Sequence, residues 1–310
     1  MTRLIVTIDT EEDLWGAYTV PNPPVENIKE LPKLQAIFNE YGVRPTYLVT
    51  YPVATDPDSL AILQSFATDG RCEIGAHLHP WNTPPISEET NERNSMLCNL
   101  SSELQLQKLE TLSAAIRTGF GREPKSFRAG RWGYSAEVAE NLTRIGIKVD
   151  SSVYPYMDWS YLHGPDFSSI PLKKRWRSIR ELFGRGDGSL LEIAATSLLV
   201  PKQRRRIPPA LAARPRLGRL LRRRGLVRLT WLSPENEDAN GMIDLSQRLI
   251  RRGFPYLNLF FHSPTLSVGL TPFVRTVSDQ KAFYERIRSY LEFIRARRIP
   301  SMLLCEALND

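Results

Sequence analysis

Cysteine and histidine are both scarce in this 310-residue chain, with three of the first and four of the second. Cys72, Cys98 and Cys305 are odd in number, far apart and without a CxxC spacing. That argues against a disulfide framework and a cysteine-built zinc site, and for reduced thiols. Long apolar runs are missing too. No stretch approaches the ~18 uninterrupted apolar residues of a membrane-spanning helix. Met1 to Asp9 holds only a short apolar run, followed at once by acids, so it does not read as a signal peptide. A cytoplasmic location is the expectation. No internal repeat of about 20–50 residues stands out, which argues against a solenoid.

What is present is a globular composition, 42% hydrophobic and 24% charged. The length suits one large α/β barrel or two ordinary domains. The net charge of +7 misleads when read globally. Residues 173–228 hold 17 Lys and Arg against 3 Asp and Glu, and the other 24 cations and 31 acids leave the remainder at −7. The basicity belongs to one segment.

Short apolar runs alternate with helix-spaced segments along the whole chain. Strands are expected at Leu4–Ile8, Thr46–Thr50, Cys72–His79, Ser126–Gly130, Ile147–Asp150, Leu190–Ala194, Tyr256–Phe261 and Ser301–Cys305. Helical spacing covers Ile28–Tyr41, Ser59–Thr68, Ser101–Thr118, Ala136–Ile145, Leu245–Arg252 and Gln280–Arg297. Such alternation implies a parallel sheet with helical crossovers, and seven or eight units suggest a barrel.

Polar residues fall at telling places. Asp9, His77 with His79, Arg128, Asp150 and His262 each lie at or just past the C-terminal end of an expected strand. In parallel α/β folds those ends converge on one rim, where active sites sit. A strand repeats its side-chain direction every two residues, so His77 and His79 share a face, and so could Asp9 and Glu11. Two histidines and one carboxylate make the donor set of an open zinc site, with the second carboxylate free to take a proton from water. Arg128 sits on a strand that should be buried and needs a carboxylate partner, Asp9 or Asp150. His262 ends an apolar strand and is a candidate general acid, its tautomer held by Asp150 or Asp158. Glu12 and Asp13 read as solvated loop acids, and His163 as a loop histidine. Trp81, Trp132, Tyr134 and Trp159 follow strand ends and could form a sugar-stacking rim.

The segments Thr7-Ile-Asp9-Thr-Glu11, Glu73-Ile-Gly-Ala-His77-Leu-His79, Phe127-Arg-Ala-Gly-Arg-Trp-Gly133, Val149-Asp-Ser-Ser152 and Leu259-Phe-Phe-His262 resemble the five ordered motifs of the polysaccharide deacetylases, the NodB-homology or carbohydrate esterase family 4 type. The resemblance implies a distorted (β/α)7 barrel, a divalent metal, most often zinc, and removal of an N- or O-acetyl group from a sugar of a polysaccharide. It implies Asp9 as catalytic base, Arg128 as the arginine orienting it, His262 as acid and Asp150 as the residue tuning that acid. Trp81, Trp132 and Tyr134 are the expected substrate contacts. The family's usual first motif has two adjacent acids, and here the second place is Thr10, so Glu11 is the substitute ligand. Its histidines are usually four apart, and here that position is Trp81, so His79 must serve beside His77.

A single barrel domain over 1–310 with a basic insertion at about 173–228 is the expected organisation. Residues 202–228 concentrate the arginines, and 216–228 could form a basic amphipathic helix. This segment could lie on an anionic membrane surface, which would suit an enzyme working on lipid-linked glycans at the inner leaflet, or contact acidic polysaccharide or nucleic acid. Two rival functions share these features: hydrolysis of a linear C–N bond in a small amide, and a non-catalytic barrel binding glycan or, less readily, nucleic acid.

Overall fold

A computed structural model describes residues 1–310 except 19, 21, 202–216, 218, 219, 223 and 310. Seven parallel strands form one curled sheet. They are β1 (Arg3–Thr10), β2 (Thr46–Val49), β3 (Glu73–Leu78), β4 (Ser126–Ala129), β5 (Val149–Asp150), β6 (Leu191–Glu192) and, after the intervening hairpin, β9 (Tyr256–His262). Their spatial order is β6-β5-β4-β3-β2-β1-β9, so β1 lies between β2 and β9. Helices Leu31–Glu40, Pro57–Ala67, Ser102–Phe120, Ala136–Arg144, Ala239–Arg251 and Val277–Ala296 make the main crossovers. This is the distorted (β/α)7 barrel expected from the sequence.

Helix ends follow local chemistry. Ser101, Ser135 and Asp238 each accept a first-turn amide with their side chains, and Thr276 with Asp279 forms a reciprocal capping box. Helix Ser102–Phe120 stops at Gly121, whose φ of 68° only glycine adopts cheaply.

β1 shows how the interior is layered. Leu4, Val6 and Ile8 pack outward in the main core, whereas Ile5 joins Val149, Ile193, Tyr256 and Leu304 in a second cluster. Thr7 and Asp9, on the same face as Ile5, meet Arg128 instead. One strand face thus climbs from an apolar floor through a polar layer to the rim.

The sheet does not close by strand pairing between β9 and β6. Asn258 of β9 spans that side: its Nδ2 donates to Ser151 Oγ at 3.0 Å and to the carbonyls of Ile193 and Ala194, and its amide donates to Thr196 Oγ1.

Two expectations change. Ser301–Cys305 contributes only a single bridge, Leu4 to Ser301, before a 3-10 turn at Leu304–Asn309, because Glu73 Oε2 accepts the Cys305 amide and Thr46 Oγ1 the Leu304 amide. The helix expected over 216–228 gives way at Val227 to strand β8 (Val227–Trp231), antiparallel to β7 (Ser197–Pro201). Leu199, Val227 and Leu229 bury against Tyr156, which a solvated helix would leave exposed. The basic run 202–216 lies outside the described residues.

Candidate active site

The C-terminal strand ends surround a cavity of about 440 Å³, lined by Asp9, Glu11, His77, His79 and His262 together with a largely apolar wall. Strand β3 and the residue just past it aim His77 and His79 inward, and their ring centroids lie 4.7 Å apart. Both Nε2 atoms face one carboxylate oxygen, Glu11 Oε2, at 3.4 Å from His77 and 3.3 Å from His79.

The other ring nitrogens are already committed. His77 Nδ1 donates to the Arg128 carbonyl at 2.9 Å, and His79 Nδ1 donates to Glu12 Oε1 at 2.7 Å. Each hydrogen bond places the proton on Nδ1 and leaves the Nε2 lone pair free, the tautomer a metal-ligating histidine requires. Burial holds His77 below its ordinary pKa despite the nearby Asp9, which keeps the imidazole neutral. Burial likewise pushes Glu11 up to about 8, so its ionised form calls for a cation. Glu11, His77 and His79 fit a divalent metal. Trp81 stacks on His79 with centroids 4.2 Å apart and planes 20° apart, fixing that ring from its face.

Glu12 and Asp13 are corrections to the loop reading. Both are buried. Glu12 also accepts from Asn82 Nδ2 at 2.8 Å, and Asp13 accepts the amides of Glu26 and Asn27 that open a 3-10 turn. A run of acids after a strand looks solvated by composition; here each side chain has a buried donor.

Arg128 is fully buried and places Nη1 2.6 Å from Asp9 Oδ1. Its Nη2 donates to Thr7 Oγ1 and Ser151 Oγ, and Nε to the Ser151 carbonyl. Burial raises the Asp9 pKa, but Arg128 and the imidazoles of His77 and His262 outweigh it and hold the carboxyl below its usual range. Asp9 is therefore held as a carboxylate, its Oδ2 3.6 Å from His262 Nε2 and able to accept a proton.

His262 takes its orientation from a residue the sequence did not point to. Glu235 Oε2 lies 3.0 Å from His262 Nδ1, and Oε1 accepts both the His262 amide and the Thr265 hydroxyl. Burial would lower the imidazole pKa, but the Glu235 charge and hydrogen bond lift it to about 10. Trp15 packs edge-on against the ring at 4.7 Å.

Asp150 and Asp158 do not touch His262. Asp150 accepts from Ser152 Oγ and its amide, 2.7 and 2.9 Å away. Burial raises both Asp150 and its neighbour Glu192, whose carboxyl groups hydrogen-bond to each other within the polar layer. Asp158 caps a turn at Ser160. Tyr134 is also misplaced by the sequence reading: it is 2% exposed, away from the cavity, with its hydroxyl on Asp150. Trp81, Trp132 and Trp159 do line the cavity, joined by Trp15, Tyr18 and Trp231.

Gly130 brings the β4 loop against His79; a Cβ there would overlap the imidazole and sit 2.6 Å from the Leu78 carbonyl. Beyond it, Arg131 (φ 52°) and Trp132 (φ 61°) are consecutive non-glycine residues in the left-handed region. Each such residue costs about 1–3 kcal/mol, a strain retained chiefly at functional sites.

Comparison with solved structures finds a Mycobacterium smegmatis structure assigned as a polysaccharide deacetylase, with a TM-score of 0.55 at 16% identity over 99% of this chain and 89% of that one. This chain has the polysaccharide deacetylase fold. The 4-alpha-glucanotransferase of Thermococcus litoralis is also similar (TM-score 0.59, 14% identity), covering 100% of this chain but 41% of that one. A CE4 family pseudoenzyme from Bacillus anthracis aligns at TM-score 0.48 and 12% identity, over 99% of this chain and 66% of that one. No protein-family model and no curated protein matches the sequence.

Proposed function

We propose that this chain is a metal-dependent hydrolase that removes an acetyl group from a sugar of a polysaccharide or lipid-linked glycan. The observation that carries this reading is one cavity in which the Glu11–His77–His79 donor set faces two oppositely tuned groups, ionised Asp9 and protonated His262.

Glu11 and the two Nε2 atoms would hold a divalent cation, and zinc suits their N and O donors. When bound, the ion supplies Lewis-acid activation of water and of the acetyl carbonyl. Asp9 accepts the proton of the attacking water, and Arg128 keeps that carboxylate ionised and pointed at the cavity. His262, charged through Glu235, donates a proton to the departing sugar amine or alkoxide. Two titratable groups pushed apart in pKa are what base and acid roles in one reaction require. The aromatic wall supplies flat apolar faces for a sugar ring. We further propose that the protein works in the cytoplasm, the basic segment bringing it to an anionic inner-leaflet surface. Among the described residues no helix is long and apolar enough to cross a membrane.

The test is metal content of wild-type and His77→Ala/His79→Ala protein, with acetate release from chitooligosaccharides and acetylated glycans measured in parallel. The expected result is about one metal per chain, lost in the variant together with acetate release. A folded wild type that takes up no metal, even with zinc added, overturns the mechanism. Stoichiometric metal without acetate from any glycan turns the search to linear amides of small molecules.

A further inference from the structure

The catalytic groups leave one charge in the cavity unaccounted for. Asp9 is matched by Arg128 and Glu235 by His262, Glu12 accepts from His79, and Glu11 faces the two Nε2 atoms with which it would share a cation. Arg131 lines the same cavity, and among the described residues it is the sole Arg or Lys that does. Its side chain is 19% exposed. One edge of the guanidinium is anchored: Nη1 donates to the Glu92 carbonyl at 3.4 Å and to Ser95 Oγ, and the plane lies 4.6 Å from the Tyr18 ring. The other edge is not. The nearest carboxylate oxygen, Glu92 Oε1, is 3.8 Å from Nη2, beyond hydrogen-bond distance, and belongs to a side chain 40% exposed. Nε and Nη2 therefore have no hydrogen-bond acceptor among the described residues. Burial draws this guanidinium below its ordinary pKa even though Tyr18 and Glu92 favour its charged form. The left-handed backbone at Arg131 and Trp132 turns the chain at the cavity wall, and the anchors at Ser95 and Tyr18 hold the planar head there. A planar cation with two parallel donors free matches the two oxygens of a carboxylate or phosphate.

We propose that Arg131 is a specificity-determining residue that selects an acetylated sugar carrying an oxyanion, a carboxylate or a phosphate. This rests on the sugar-deacetylase reading and narrows its substrate class. Neutral chitin-like chains would then be the poorer substrates.

Wild-type protein and Arg131→Asn are compared on N-acetylglucosamine, its 6-carboxylate and its 6-phosphate. Asparagine is chosen because it tolerates left-handed backbone. The expected result is a kcat/KM at least on the order of tenfold higher for one charged sugar than for the neutral one. Arg131→Asn should collapse that ratio, mainly through KM, and Arg131→Lys should restore part of it. Whichever charged sugar responds identifies the oxyanion. Equal values on all three sugars in the wild type, or a uniform loss across them in Arg131→Asn, overturn the proposal. Should no sugar release acetate, calorimetric binding of the same compounds decides independently of turnover. Charge-selective binding lost in Arg131→Asn upholds the role of Arg131 while the deacetylase reading fails, and charge-blind binding overturns it.

Discussion

Glu235 sets the working state of His262, and this can be measured on single residues. The imidazole is lifted to about 10 in the folded chain against about 6.5 unperturbed. A histidine raised in this way contributes stability that is full below about 6.5 and is lost as the pH climbs through about 10. In Glu235→Gln the carboxylate charge is gone, so the alkaline limb of kcat/KM should move toward neutrality by on the order of one pH unit or more. The variant's stability deficit in urea should be largest at pH 6 and shrink toward pH 10. A limb that stays in place would assign the acid to another group. Arg128 makes a second test. Arg128→Met leaves Asp9 buried without its cation, and an unfolding penalty of about 3–5 kcal/mol is expected by urea titration. The surviving Asp9 should then titrate higher, because burial is opposed only by the imidazoles once the Arg128 charge and hydrogen bond are gone.

At the scale of elements, the strands deliver the chemistry and the loops tune it. Gly130 sits where the β4 loop meets the His79 ring, so Gly130→Ala should displace that ring without altering any ligand. Metal content measured after purification should fall well below that of wild type, while the circular dichroism of the barrel is retained. Lys108 does comparable work from helix Ser102–Phe120. Its fully buried ammonium donates to the carbonyls of Pro80, Thr83 and Pro85, pinning the loop that carries Trp81 and Asn82. Strand-borne groups were legible in the sequence because period-two patterning and strand ends locate them: Asp9, Arg128 and His262 come to one rim by that logic. Glu235 was not legible. It follows a strand hidden in a basic run, and no periodicity marks a carboxylate that meets its histidine only in three dimensions. Glu12 was misread for the opposite reason, since a cluster of acids resembles a solvated loop until its buried partners are known.

For the whole molecule, the polar layer between floor and rim keeps the open side of the sheet together. Thr7, Arg128, Ser151 and Asn258 form one hydrogen-bonded set drawn from β1, β4, the end of β5 and β9. Asn258→Ala should cost about 1–3 kcal/mol in urea unfolding, because Ser151 and the Ile193 and Ala194 carbonyls lose a buried donor. The barrel class was readable from strand–helix alternation, whereas the β7–β8 hairpin was not, its apolar residues being interleaved with the arginine-rich run. The adjacency of β1 and β9 has a consequence for the order of events in synthesis. Glu11, His77 and His79 leave the ribosome early, with the strands that carry them. His262 follows only after every other sheet strand has emerged, and β1 lacks its second neighbour until then. On the proposed reading, a nascent chain would hold its candidate cation ligands, Glu11, His77 and His79, before it owns its proton donor. The proposed chemistry would then await the last strand to dock, and a chain halted short of β9 would be expected to bind metal without releasing acetate.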